Sequence, residues 1–471
     1  MALLSNSFCL PKLTIRSKAF HNSHFVGSSV GSISNNCNVF QVSPFHRFSS
    51  PIEKRIFSSP PRLQEFELER LFSNLNQATF QRDPGSLSSA IVLVAGTTVG
   101  AGILAIPSVT QEPGFIPSAA ACVLCWFYMV VTGLLIAEIN VKTMCELGSG
   151  GVSLVSMAKR TLGTFGVQIA CSSYIFIHYA LLVAYIARSS DIITSHLQIP
   201  LWASGSLFSI VLGGICYFGN QRFIGAVNGA LVLGIIVSFT ALVVVASGNL
   251  DITALWRSNI EALPSCIPVI ALSFVYQNVI PVLCTNLEGD LNKVRTAIVA
   301  GTAIPLGLFI TWNAVILGSV TGDRSFDPLQ QLQSSSDAVG PIIEVFSLLA
   351  LATSFVGFVL GLVDFLADLL KLPARESRPL PFVLTLVPPL VLSAVDPEVF
   401  FNALDFAGAY GVMILFGVLP AAMSWQDRSF GYESDVKLPR MIPGGQVTLF
   451  FVMAAAGYVV LSQLLQTFSH I

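Results

Sequence analysis

The chain has 471 residues, of which 53% are apolar and only 11% charged, against roughly 25% charged in an ordinary soluble domain. That composition marks a polytopic membrane protein, and a formal net charge of -2 excludes a bulk electrostatic partner such as nucleic acid. The nine cysteines are scattered, and Cys122 and Cys125 form a C-x-x-C with no second pair or histidine cluster nearby, which reads as packing rather than metal or redox chemistry.

Residues 1–50 contain no Asp or Glu, many serines, and Lys12, Arg16, Lys18 and Arg47 after a Met-Ala start. This balance predicts a plastid or mitochondrial transit peptide rather than a disordered cytosolic tail, and the excess of serine over arginine favours the plastid of the two. Residues 51–86 mix Pro, Glu and Arg and read as a flexible leader with a short helix at 62–74.

Apolar runs of about twenty residues are the length that crosses hydrocarbon as a helix. They predict an all-α protein with eleven spans, at 88–108, 117–138, 166–187, 202–219, 224–247, 265–284, 297–318, 342–369, 380–395, 399–421 and 445–467. With the N-terminus on side one, the loops of that side hold Lys142, Lys159, Arg160, Arg222, Lys293, Arg295, Lys371, Arg375, Arg378, Arg428, Lys437 and Arg440; the other side holds only Arg188, Arg257 and Arg324. The asymmetry places the N-terminus on the cytosol-like face, the stroma in a plastid. The first five spans, 88–247, and the next five, 265–421, form nearly equal blocks. Equal halves of odd helix count give an inverted repeat, here with one helix over, as in many secondary transporters.

In such a repeat the first and sixth spans are equivalent and are interrupted where substrate binds. The first span carries GTTVGAGILAIP at 96–107. A break there frees amides at the start of the second half-helix, and the N–H groups with the helix dipole make a carboxylate site. Val99, Gly100, Ala101 and Gly102 are the predicted cradle, with Thr97 and Thr98 placed either to satisfy freed backbone groups or to contact the ligand amine. The alternative is that Gly96-x-x-x-Gly100 is a small-residue packing face. The sixth span carries LSFVYQNVIP at 272–281, where Ser273, Gln277 and Pro281 recur every four residues. Polar groups at that depth are costly unless they line a cavity.

In the third span Tyr174, His178, Leu181 and Tyr185 share one helix face, with Tyr179 adjacent; they form either the wall for a substrate side chain or a hydrogen-bonded seam. Thr353 and Ser354 supply hydroxyls in the eighth span, Asp364 and Asp368 pair with interfacial Lys371 or Arg375, and Asp405 and Glu344 are placed where a proton could be carried.

Four motifs in order, GTTVGAGILAIP at 96–107, YALLVAYIA at 179–187, SFVYQNVIP at 273–281 and TSFVGFVLGLVDFLADLLK at 353–371, resemble the aromatic amino acid permease family, the tryptophan and tyrosine permeases. The resemblance implies the fold of the bacterial leucine transporter and the wider amino acid–polyamine superfamily, with proton-driven amino acid uptake. It also implies a substrate-backbone site at Thr97, Gly100, Ala101, Gly102, Ser273 and Phe274. Bacterial members carry a lysine in the fifth span that stands in for sodium, whereas GALVLGIIVSF here offers Gly234. Carbonyls near Gly96 and Val99 with the hydroxyls of Thr353 and Ser354 would suit sodium, a hard cation that prefers oxygen. Arg188 and Asp191 follow YALLVAYIA, where the resemblance implies small residues.

Together these readings give a secondary carrier of an aromatic amino acid, coupled to protons or sodium, in the plastid envelope. It meets lipid and substrate, and needs no organic cofactor or resident metal. A non-transporting amino acid receptor is the alternative. No nucleophile–base–acid set or phosphate loop appears in the short loops, which argues against an enzyme.

Overall fold

The computed structural model describes residues 85–469 apart from 148–151, 220, 247, 249, 320–326, 336–338, 371–378, 397–398 and 430–437, together with Leu75–Asn76 and Gln81–Arg82. The predicted transit peptide and the helix at 62–74 lie outside the described residues, as do Arg324, Lys371, Arg375, Arg378 and Lys437. The two residue pairs form a minimal antiparallel ladder, β1 (Leu75–Asn76) against β2 (Gln81–Arg82). Most of the other described residues are helical, as a chain with no water to satisfy its backbone requires.

The first predicted span is two helices, α1 (Leu87–Thr98) and α2 (Gly102–Thr110), bent by 53° at the break. Then come α3 (Phe115–Leu147), α4 (Leu154–Leu197), α5 (Leu201–Phe218), α6 (Gln221–Ala246) and the short α7 (Ile252–Leu255). The sixth span is again divided, into α8 (Leu263–Ser273), a 3-10 turn at Gln277–Val279 and α9 (Ile280–Asn286). The remainder is α10 (Leu291–Ser319), α11 (Pro328–Ser335), α12 (Val339–Leu369), α13 (Pro379–Val395), α14 (Phe400–Phe406), α15 (Leu419–Ser429) and α16 (Gly445–Ser469), with a π-helical segment at Ala407–Val418.

Among the described residues nine helices are long and apolar enough to cross a membrane, and the bent pair α1/α2 makes a tenth. The run predicted at 380–395 forms α13, apolar but only 17 residues long. Predicted boundaries move where hydropathy is blind to helix. The span expected at 166–187 belongs to the 44-residue α4, kinked at Gly163 (φ 66°). Lys159 and Arg160 therefore lie on its first turns rather than in a loop, started by Ser153, whose Oγ accepts from Ser156 N–H at 3.2 Å. The four-residue spacing of Ser273, Gln277 and Pro281 does not make one helix face, because the helix stops at Ser273. Pro281 lies in the first turn of α9, where the N–H it lacks would have had no intrahelical acceptor.

Four helices are tied together around the two breaks. Trp126 Nε1 on α3 donates to Thr302 Oγ1 on α10 at 2.9 Å. Tyr276 donates its hydroxyl to Met129 O at 3.1 Å, and a Cβ on Gly133 would stand only 2.0 Å from that hydroxyl. Gly301 lies against Val94 of α1, and Gly85 N–H donates to Asn286 O at 2.9 Å. Four of the cations assigned to one face meet there: Lys142 and Arg160 both pair with Asp427, at 2.9 and 2.7 Å, Arg428 pairs with Glu138 at 3.0 Å, and Arg295 donates to Met441 O. Glu138 also accepts from Met441 N–H at 2.9 Å, which joins the two groups.

Candidate functional site

The break in the first span begins where Val99 N–H makes the last α1 bond, to Ala95 O at 3.0 Å. The next three residues leave the helix, and α2 restarts with Ile103 N–H on Gly100 O and Leu104 N–H on Ala101 O. Neither Gly100 N–H nor Gly102 N–H has a backbone acceptor, and the carbonyls of Gly96, Thr97, Thr98 and Val99 have no backbone donor among the described residues. Ala101 N–H donates to Ser354 Oγ at 2.9 Å. Glycine is required on both sides of that bond: a Cβ at Gly100 would lie 2.8 Å from Ser354 Oγ, and one at Gly102 would lie 2.7 Å from Ser273 Oγ and 3.0 Å from Ser273 Cα. The two interrupted helices thus touch at their breaks.

On the α8 side, Ser273 Oγ donates to Val269 O at 2.9 Å, and Phe274 and Val275 close the helix with bonds to Ala271 O and Leu272 O. Tyr276 N–H is received by the Gln277 side-chain oxygen at 3.0 Å, while Gln277 Nε2 reaches Met129 O and Thr132 Oγ1, each at 3.3 Å. Gln277 therefore replaces the missing helical acceptor and fastens the break to α3. Phe274 is fully buried, its ring 5.1 Å from that of Phe309.

The predicted hydroxyls are placed differently from one another. Thr97 and Thr98 turn back onto Leu93 O and Val94 O at 2.7 and 2.8 Å, and Thr353 onto Leu349 O at 2.9 Å. Their oxygen lone pairs stay available. Ser354 alone crosses to the break, and the Tyr185 hydroxyl faces the same Ser354 side chain. From Tyr185 a row of rings runs along α4 and α12: Phe358 at 5.7 Å, then His178 at 4.9 Å from Phe358, and Tyr174 at 4.0 Å from His178. His178 Nδ1 donates to Tyr174 O at 2.8 Å, since a carbonyl can only accept. Gly361 lets both polar tips approach, its missing Cβ being 3.3 Å from His178 Nε2 and Tyr174 OH. Asp405 stands apart, bonded to Gln463 of α16, and Glu344 pairs with His196 at 2.8 Å. Gly234 packs on α12 beside Leu349, one turn from Thr353.

The structure brings together Val99–Gly102, Ser273 and Ser354, and reaches Tyr185, His178 and Tyr174 through the ring row. Tyr185 belongs to the face read from the sequence as a wall or a seam; Phe358, which links it to His178, was not among the residues singled out, since its place in the row depends on how α12 packs against α4.

Two interrupted helices joined at their breaks inside an all-helical, apolar bundle define a membrane transport protein. The tryptophan/tyrosine permease family matches residues 84–463, and the chain belongs to that family. It is 29% identical over 391 residues to tyrosine-specific transport system 2 of Haemophilus influenzae, covering 77% of this chain and 92% of that protein. It is 28% identical over 380 residues to tyrosine-specific transport system 1 of the same organism, with coverage of 77% and 92%. To the tryptophan-specific transport protein of that organism it is 27% identical over 404 residues, covering 79% and 94%.

Proposed function

We propose that the protein is an ion-coupled secondary transporter that carries tyrosine or tryptophan across a plastid envelope membrane by alternating access. The observation that carries this reading is the contact of Gly102 with Ser273, which sets two unpaired amides and four unpaired carbonyls at one point between the broken helices. A zwitterion needs both. Its carboxylate accepts from Gly100 and Gly102 N–H, helped by the positive end of α2, and its ammonium donates to carbonyls near Thr97 and Ser273. The aromatic ring lies along Tyr185, Phe358, His178 and Tyr174, while Phe274 and Gln277 hold the wall and the break. The names of the bacterial relatives support an aromatic substrate.

Sodium is the coupling ion in this reading, held by the carbonyls of Gly96 and Val99 with the oxygens of Thr353 and Ser354. Gly234 beside Leu349 supports it, because no ammonium is present there to take the ion's place. The recurrence of a broken first helix at α1/α2 and α8/α9 supports two inverted five-span repeats, with α13 as the ninth span and α16 as an eleventh outside the symmetry. The acid-free start of the chain, ahead of a family match that begins at residue 84, supports a plastid address, and the cation bias supports a stromal N-terminus.

Counterflow tests the reading directly. Proteoliposomes loaded with unlabelled tyrosine should accumulate external labelled tyrosine, with tryptophan competing, and external sodium should accelerate uptake. Saturable binding of tyrosine without any flux would sink the transport reading.

A further inference from the structure

Arg188 is absorbed by none of the roles above, and it has partners. Its Nη2 lies 3.6 Å from Asp327 Oδ2, with both side chains about nine-tenths buried (11% and 10% exposed), and its guanidinium sits 5.8 Å above the ring of Phe400. Asp327 precedes α11; its Oδ1 accepts from Ser108 Oγ of α2 at 2.5 Å and from Leu329 N–H at 3.1 Å. One carboxylate therefore joins α4, α2 and the start of α11, and the cation it attracts leans on α14.

We propose that Arg188, Asp327 and Ser108 form the outer gate of the transport cycle, closed in this structure; the proposal rests on the transport reading above. The cluster lies beyond the substrate point on the side opposite the Asp427 network. Arg188 is three residues past Tyr185, which faces Ser354, and Ser108 is six residues past Gly102, about 9 Å along a helix. The carboxylate thus joins α2 and α4 on this side of the break, the helices that carry Gly102 and Tyr185 of the substrate point.

The bonding separates a gate from a permanent brace. On the opposite face the pairs are short, Lys142 and Arg160 on Asp427 at 2.9 and 2.7 Å and Arg428 on Glu138 at 3.0 Å. Arg188 and Asp327 stop at 3.6 Å, beyond hydrogen-bond length, and Asp327 Oδ2 is buried with no hydrogen-bond partner. Such a pair attracts across the gap without locking. When it parts, Arg188 keeps the face of Phe400, and Asp327 keeps its own helix amide at Leu329. Charges so far from water persist at a membrane helix end where they work.

The test uses the full chain in liposomes with Ala105→Cys as reporter, one turn below Ser108 on α2 and fully buried when the gate is shut. A membrane-impermeant maleimide is added and labelling at residue 105 is followed by mass spectrometry. Asp327→Asn strands Arg188 in the closed form only, so labelling should quicken about tenfold, as the loss of a partly buried ion pair shifts a two-state balance. Arg188→Gln should quicken it in the same direction, and Ser108→Ala, the mildest change, about threefold. Should Asp327→Asn fail to fold, the other two variants decide the matter. Labelling at the parent rate in the folded variants overturns the gate. Counterflow of labelled tyrosine by the parent chain is measured in the same vesicles: its absence would remove the transport reading, while the labelling rates would still report whether these residues close this face.

Discussion

Adding one methyl group at Gly102 tests the contact on which the site depends. A Cβ there would stand 2.7 Å from Ser273 Oγ, 3.0 Å from its Cα and 3.1 Å from its Cβ. Carbon atoms pack without strain at roughly 3.5–4.0 Å, so the two broken helices must separate by about 0.5–1 Å. Rotating Ser273 relieves only the hydroxyl contact and breaks its 2.9 Å bond to Val269 O. Overpacking of this kind costs about 1–3 kcal/mol, and moving oriented binding groups by ~1 Å can cost about a hundredfold in rate. Gly102→Ala should therefore lower tyrosine counterflow about ten- to a hundredfold while the purified protein stays monodisperse and helical. Gly457→Ala is the control, since a Cβ at that residue of α16 meets nothing within 4 Å. Parent-like counterflow in Gly102→Ala would refute the argument that the breaks must touch.

Other substitutions probe the surrounding frame. Ser354→Ala removes the acceptor of Ala101 N–H; leaving that amide unpaired costs about 1–3 kcal/mol, to be read as a roughly tenfold loss of tyrosine affinity in a binding titration. Gly133→Ala drives a carbon to 2.0 Å from the Tyr276 hydroxyl, so it should lower the melting temperature sharply, and adding Tyr276→Phe should recover part of the loss; a double variant no better than the single one would contradict this contact. Gly234→Lys brings an ammonium to α12 beside Leu349 and one turn from Thr353. Uptake in that variant should no longer respond to sodium, whereas the parent should lose activity when sodium is replaced by choline.

The sequence carried the local breaks better than the helix ends. Glycines at 100 and 102 signalled a departure from helix because a backbone that must approach another helix closely admits no Cβ, and a Cβ added at either would stand under 3 Å from α12 or α8. The second break was legible in the polar residues of 273–281, but their helical spacing was misleading. Gln277 is polar because it bonds to the backbone of its own break and to α3, which no periodicity within the segment can reveal. Helix extents were read from hydropathy, which is insensitive to polar first turns, so α4 proved 44 residues long. The π-helical stretch at Ala407–Val418 had no sequence cue beyond Gly408 and Gly411, which fit against Pro268 and Ile177. Arg188 was visible as an oddity, yet its partner lies 139 residues away in the chain, a pairing that only the folded arrangement exposes.

The ties that run from Trp126 to Thr302, Tyr276 to Met129, Val94 to Gly301 and Gly85 to Asn286 have a thermodynamic consequence. Both halves of the cradle are bolted to a common chassis, so they travel together when the surrounding walls shift. The groups that hold the carboxylate and the ammonium are then the same whichever compartment the cargo faces, and a difference between titrations from the two sides can arise only at the ring row on α4 and α12. Any uphill accumulation must be driven by the ion gradient rather than by a loosening hold on the amino acid.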